Sequence, residues 1–454
     1  MKLPAYPGYK ASRVDWLGEV PEHWGVKRLK WSVAGCINGV WGDEPDGVDD
    51  VVCVRVADFD RDRFSVATDS LTIRSVEPKQ RQSRKLRKGD LLIEKSGGGD
   101  KQLVGCVVYF DHEFEAVCSN FVARMPVDPE LPGRYWSYVH AALYAGRLNY
   151  PAIKQTTGIQ NIDAGEYLNT FAAYPPVDEQ EKIAAFLEWK TAQIDALIVK
   201  KRELITKLKD KRLAIITQAV TKGLDPKAPL RDSGIPWLGK VPKHWEVKRV
   251  KFIAQIGNGS TPNREDSTYW DEGDYPWLNS SVVNQEKVST ADQFVTPSAL
   301  RECHLPKVQP PAILVGITGQ GRTRGMASTL LFEATINQHL AYVKPDIAQT
   351  VVDFLRRVFD SAYSYLRSES DGGGSTKGAI TCEQIAEMPV PIPPIDEQIV
   401  IAAFVEGAIA KMDLMSEKTE IAITRLTEYR SALITAATTG KIDLRNWQHA
   451  KEAA

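Results

Sequence analysis

The chain of 454 residues repeats itself, and the repeat constrains its fold more than any other feature. After Asp15 it reads W-L-G-E-V-P-E-H-W-G-V-K-R-L-K-W to Trp31. After Pro236, 221 residues later, it reads W-L-G-K-V-P-K-H-W-E-V-K-R-V-K-F to Phe252. A second block, P-P-V-D-E-Q-E-K-I-A-A-F-L-E from Pro175 to Glu188, returns 218 residues later as P-P-I-D-E-Q-I-V-I-A-A-F-V-E from Pro393 to Glu406. That register holds without a gap to Asp225 and Asp443. The period is far longer than that of a solenoid. The chain is therefore two copies of one plan: a short entry motif, a variable globular segment and a long helix. Between the matched blocks little sequence is shared, yet strand-like runs recur. Gly89 to Gly99 resembles Pro311 to Gly321, a strand running into a glycine-rich loop, and Val117–Asp128 parallels Thr335–Asp346. One framework with different loops suits two recognition modules that read different things.

Each second block opens a helix. Asp178 and Asp396 follow paired prolines as expected N-caps, with Glu181 at the capping-box position of the first. Gly223 and Asp225-Pro226 end the first helix after about 44 residues, or roughly 66 Å. Apolar residues keep a seven-residue beat: Leu187, Ile194, Leu208 and Ile215 in the first copy, and Val405, Met412, Leu426 and Leu433 in the second. Lys201 and Thr419 are matched polar exceptions, and Leu197, Leu204 and Ile205 are expected in the neighbouring stripe. Such a stripe is a coiled-coil seam that one helix cannot bury alone. The two helices are expected to pack on each other, antiparallel, as a stiff rod spacing two heads. The expected architecture is two α/β (α+β) modules related by a pseudo-twofold internal repeat. Residues 1–174 form the first module with its entry motif, 175–225 the first helix, 226–392 the second module, 393–443 the second helix and 444–454 a tail.

The composition, 43% hydrophobic and 25% charged, is that of a core-forming chain. No apolar run reaches about 18 residues, so no membrane helix is expected. Residues 1–16 carry Tyr, Pro and charges, unlike a secretory signal. Six cysteines without a C-x-x-C spacing point to a reducing cytoplasm. The net charge is −1. Residues 25–174 hold 19 basic against 20 acidic side chains, and residues 246–392 hold 14 against 17. Bulk charge therefore does not draw either module to nucleic acid; local loops or a partner would have to.

No site of chemistry emerges. The seven histidines form neither H-E-x-x-H nor a zinc spacing with cysteine. His23 and His244 lie inside the repeated P-x-H-W motif and read as packing residues. Gly316-Ile-Thr-Gly-Gln-Gly321-Arg322-Thr323 misses the P-loop because Arg stands where Lys must reach the phosphates; glycines that let the backbone approach a partner, with Arg322 and Arg324 aimed outward, are the better reading. Asp90…Glu94-Lys95 lacks the spacing of a nuclease centre. The expectation is a binder that is not an enzyme, with no catalytic residue, metal or cofactor of its own.

The doubled W-L-G-x-V-P-x-H-W-x-V-K-R and P-P-[VI]-D-E-Q-x-x-I-A-A-F-[LV]-E motifs, with Gly259-Ser-Thr-Pro262, Tyr269-Trp270 and Tyr275-Pro-Trp277 opening the second module, resemble the specificity subunit of type I DNA restriction-modification systems almost end to end. The resemblance implies two target-recognition domains that each read half of a split, asymmetric duplex site, on helices that dock two adenine methyltransferase subunits. S-adenosylmethionine, ATP and Mg would belong to those and to restriction/translocase subunits. Asn38-Gly-Val-Trp-Gly-Asp stands where the first module should carry the G-S-T-P opening, which leaves its DNA-facing loop open. Arg pairs with guanine edges, and Asn or Gln with adenine. On that chemistry the candidate contacts in the first module are Arg81, Arg84, Lys85, Lys95, Lys101, Gln102, Lys154, Gln155, Thr156 and Thr157. In the second they are Thr261, Asn263, Arg264, Asn279, Arg322, Arg324, Ser375 and Lys377. The alternative from another class is a duplicated coiled-coil adaptor that joins protein partners without reading DNA.

Overall fold

In the computed structural model residues 4–99, 102–156, 158–319, 321–371 and 378–448 are described. The chain divides into two compact units, Met1–Lys201 with Ile421–Ala454, and Arg202–Glu420. Each long helix, Val177–Lys222 and Ile395–Thr438, gives one half to each unit.

The duplication extends to strand order. The first unit has a sheet ordered Ile37–Asn38, Val122–Met125, Leu91–Glu94, Val107–Tyr109, Ser65–Val66, Phe59–Asp60. The second has Ala254–Asn258, Leu340–Pro345, Ala312–Gly316, Ala327–Leu330, Lys287–Val288, the same order without the last strand. A three-stranded sheet follows in both: Ala116–Cys118 runs parallel to Asp50–Val54, and Thr335–Ile336 runs parallel to Tyr275–Leu278. The central strands Leu91–Glu94 and Ala312–Gly316 are buried at every residue, which is why, Glu94 excepted, they read as apolar runs rather than alternating ones. The first unit also has a sheet of Ser96–Gly97, Ile159–Ile162 and Ile153–Thr156, which has no counterpart among the described residues of the second.

The two repeated motifs meet in space. In the first unit Glu179, in the opening turn of the first long helix, accepts hydrogen bonds from Trp24 Nε1 (3.0 Å) and Tyr6 Oη (2.9 Å) and lies 2.6 Å from His23 Nε2. Gln180 donates back to the Pro175 carbonyl, as Gln398 does to Pro393. In the second unit Glu397 meets His244 at 2.9 Å, but Trp245 Nε1 is buried without a partner, and Lys227 stands where Tyr6 would be. The end of the other helix closes each clasp. Gly440 (φ 76°) lies against Pro21 and Trp24, and Gly223 (φ 74°) lies against Trp245 and Glu397. In each unit the end of one helix thus lies at the start of the other, so the halves run antiparallel. Asp195 meets Arg430 at 3.0 Å in the first unit, and Arg212 meets Asp413 at 2.6 Å in the second.

Along the seam Leu187, Ile194, Leu208, Val405, Met412 and Leu433 are buried, and Ile215 and Leu426 are half-buried. Thr419 is buried too, its hydroxyl bonded to the Met415 carbonyl, which is how a polar residue fits the stripe. Two expectations need correction. Neither Asp178 nor Asp396 is the N-cap: the helices start at Val177 and Ile395, the amides of Glu179 and Gln180 donate to the Pro176 carbonyl, and that of Gln398 donates to the Pro394 carbonyl. Asp178 instead places its charge in the first turn, where the helix dipole favours it. Leu197 and Leu204 do not fill a buried stripe; they are exposed, and the row beside the seam there is Thr191 and Ile198, both buried, with Ile205 half-buried.

Removing the Glu179 carboxylate would strand two buried donors, at about 1–3 kcal/mol each. Glu179→Ala should therefore lower unfolding free energy by about 2–6 kcal/mol in urea titrations, and Glu397→Ala by clearly less. His140 is fully buried against Tyr167 Oη (2.7 Å), and burial pushes its pKa down to about 3. Unfolding restores an ordinary value near 6.5, so protons favour the unfolded chain. Stability should fall as pH drops from about 6.5 towards 3, and His140→Gln should flatten that slope in thermal melts.

Candidate nucleic-acid interface

The loops flanking the central sheets carry most of the polar candidates. One device is common to both units. Gly39 and Gly259 each press against the backbone of the short parallel strand: an added Cβ would lie 2.1 Å from the Cys118 carbonyl oxygen and 1.7 Å from that of Ile336. The first opening loop, unlike the second in sequence, thus keeps the one glycine that close approach requires.

In the second unit the loop after Gly259 builds a rigid cation. The Arg264 guanidinium lies 4.1 Å from the Trp270 ring centre and 4.6 Å from that of Trp277, and it donates to Gln293 Oε1 at 3.1 Å. Asn263 is exposed, with its carbonyl accepting from Trp270 Nε1. Thr261 bonds to Gln338, Gln338 reaches His339 Nε2 at 3.4 Å, and His339 Nδ1 lies 2.8 Å from Thr318 Oγ1. This chain ties the opening loop to the glycine-rich loop. Sequence reasoning missed Gln338 and His339, just after Thr335–Ile336, and Thr318, just after Ala312–Gly316. Asn279 spends its side-chain oxygen on the Ser281 amide and caps the short helix Ser280–Asn284. Arg322 is exposed, and its carbonyl anchors Tyr363 Oη. Arg324 is buried, 4% exposed, and does not aim outward as expected, because the loop turns back into the strand Ala327–Leu330. That return to a strand, where a P-loop needs a helix, also removes the phosphate-cradle geometry.

In the first unit Asn38 gathers two candidates: Arg84 Nε donates to its carbonyl (3.2 Å) and Lys95 Nζ to its Oδ1 (2.6 Å). Arg81 lies 3.8 Å from both Asp49 and Glu115, Lys85 lies 3.5 Å from Glu115, and Lys154 lies 2.6 Å from Asp163. These cations are already matched to acids, so they carry less free charge than their sequence suggests. Gln102 and Gln155 are exposed, Gln102 beside Arg61; Thr156 ends a strand. Lys101, Thr157, Ser375 and Lys377 lie outside the described residues.

Gly259→Ala should shift the opening loop or the strand behind it, at a cost of about 2 kcal/mol or more, read as a lowered unfolding midpoint in urea.

The type I restriction modification DNA specificity domain model matches residues 242–425. Over 170 residues the chain is 30% identical to the MjaIX specificity subunit of Methanocaldococcus jannaschii, covering 36% of this chain and 38% of that relative. It is 22% identical over 435 residues to the putative MjaX specificity subunit of the same organism, covering 94% and 96% of the two chains. Among solved structures, a chain from work on complex assembly and conformational transition of the type I R-M system superposes with a TM-score of 0.70 at 15% identity, covering 93% of this chain and 99% of that one. Residues 242–425 thus carry the likeness to the type I restriction modification DNA specificity domain, and along most of its length the chain is similar in sequence and fold to specificity subunits of type I restriction-modification systems.

Proposed function

We propose that this chain reads a two-part DNA site, one part with each head, and presents it to adenine methyltransferase subunits and, through them, to restriction/translocase subunits. The observation that carries the reading is that two heads share strand order and the strand-pressing glycine, with an asparagine before it in both, yet differ in most of the other polar groups around it. A stacked arginine in a Thr-Gln-His setting in one unit, and an Asn38 cluster in the other, present different hydrogen-bonding patterns. Different patterns select different bases. The helices supply the docking surface: Leu213, Leu414 and Met415 of the second unit are exposed apolar side chains on otherwise polar helix faces. S-adenosylmethionine, ATP and Mg would be held by the partners.

The near-neutral heads also bear on mechanism. Phosphate neutralisation by Lys and Arg gives non-specific affinity, and here several cations are spent on nearby acids. Tight binding therefore requires the partners to close round the duplex, and the isolated chain is expected to bind DNA weakly at physiological salt.

The test is to express the chain with its methyltransferase partner and map methylated adenines across a genome. Methylation of one bipartite motif that depends on this chain supports the reading; a partner whose methylation pattern is the same without it would refute it. Arg264→Ala should relax or weaken the half of the motif read by the second head, with the other half intact.

A further inference from the structure

The first unit contains a cleft of about 1170 Å³ that neither repeated motif explains. Its rim carries two exposed aromatics, Trp41 and Phe121. On its floor Arg61 Nη2 lies 2.8 Å from Glu94 Oε2. Glu94 has no exposed surface, whereas the Arg61 side chain keeps 21% of its own. Arg61 Nη1 also donates to Tyr144 Oη at 3.3 Å, and Tyr144 donates in turn to the Leu103 carbonyl at 2.7 Å. With its amide turned to satisfy both groups, Gln102 accepts from Arg61 Nε. The guanidinium is thus held from three sides, and Arg61 lines the cleft with part of its side chain exposed.

Burying a carboxylate costs several kcal/mol, and a buried pair seldom repays more than a well-packed apolar pair would. Stability is a poor reason for Glu94 to be there, and fixing Arg61 in one orientation is a better one. The loop over the pair is tight: a Cβ at Gly97 would come within 3.0 Å of Glu94 Oε1, and one at Gly98 within 2.7 Å of the Val104 amide. The second head lacks the device. Glu94 pairs across the sheet with Val122, and Gly316 pairs with the matching Leu340, so glycine replaces the carboxylate there.

Resting on the DNA-reading function above, the geometry points to Arg61 as a specificity-determining residue of the first head, with Glu94 as its positioning residue. A recessed, fixed guanidinium beneath an aromatic rim fits a planar edge with two adjacent acceptors. In DNA that edge is guanine O6 and N7. The convex phosphate backbone would be met by the surface lysines instead.

The test uses the full chain with its methyltransferase partner, reading methylated adenines across a genome for wild type, Arg61→Ala, Arg61→Lys, Glu94→Gln and Glu94→Asp. Arg61→Ala and Arg61→Lys should lose about tenfold or more discrimination at one guanine of a single half-site, with the other half unchanged. Glu94→Gln should relax the same position, and Glu94→Asp should restore much of it. A purely structural role would lower methylation at all sites without changing base preference. An unchanged motif in Arg61→Lys, whether Arg61→Ala is active or inactive, overturns the inference. If the wild-type chain itself directs no methylation, the DNA-reading function fails instead, so the two failures are distinguishable.

Discussion

The contact on which the rest depends is a carboxylate at a helix start that receives the polar edges of an aromatic entry motif. Glu179 holds Trp24, Tyr6 and His23 at once, and Glu397 holds His244. An acid in the first helical turn is already favoured by the dipole. Here it also satisfies indole and phenol donors that burial would otherwise strand. The two blocks lie about 150 residues apart in each copy, and the clasp is the physical reason they recur together. It fixes where each head leaves its helix, and the glycine that ends the other helix packs against the same tryptophan.

On that framework the heads are free to differ. Their central strands are wholly buried and, apart from Glu94 where the second has Gly316, apolar, so most of the difference between the heads lies in the loops around a shared glycine contact. The two units nevertheless solve the problem of holding a polar side chain still in different ways. The second stacks Arg264 against two indoles at the surface, where desolvation is cheap. The first sinks Arg61 against a buried acid. Burial pushes the Glu94 carboxyl upward in pKa, and Arg61 is the charge that opposes it. Rigid arginines in either setting lose less freedom on meeting a partner than the flexible lysines of the surface.

Much of this was open to inspection in the sequence. The duplication, the two helices, their seam and the entry motifs follow from periodicity and local chemistry. So does the absence of a P-loop at Arg322, where one residue type decides the outcome. Less legible was the state of each candidate contact. Arg81, Lys85 and Lys154 look like free cations in a row of letters, yet each has an acid beside it in space. Arg324 looks like a loop arginine and is buried.

What the sequence by itself determined is the plan: two copies of one unit and two long helices that pack antiparallel along a heptad seam. Heptads, caps and repeated motifs act through neighbours three, four or seven residues away, and that regularity is written in order along the chain. What only the tertiary structure decided is which polar groups are available. Glu94 reaches Arg61 across 33 positions, and Thr261 reaches Gln338 across 77. The energy of such a pair depends on distance and burial, which the fold sets and no local pattern encodes.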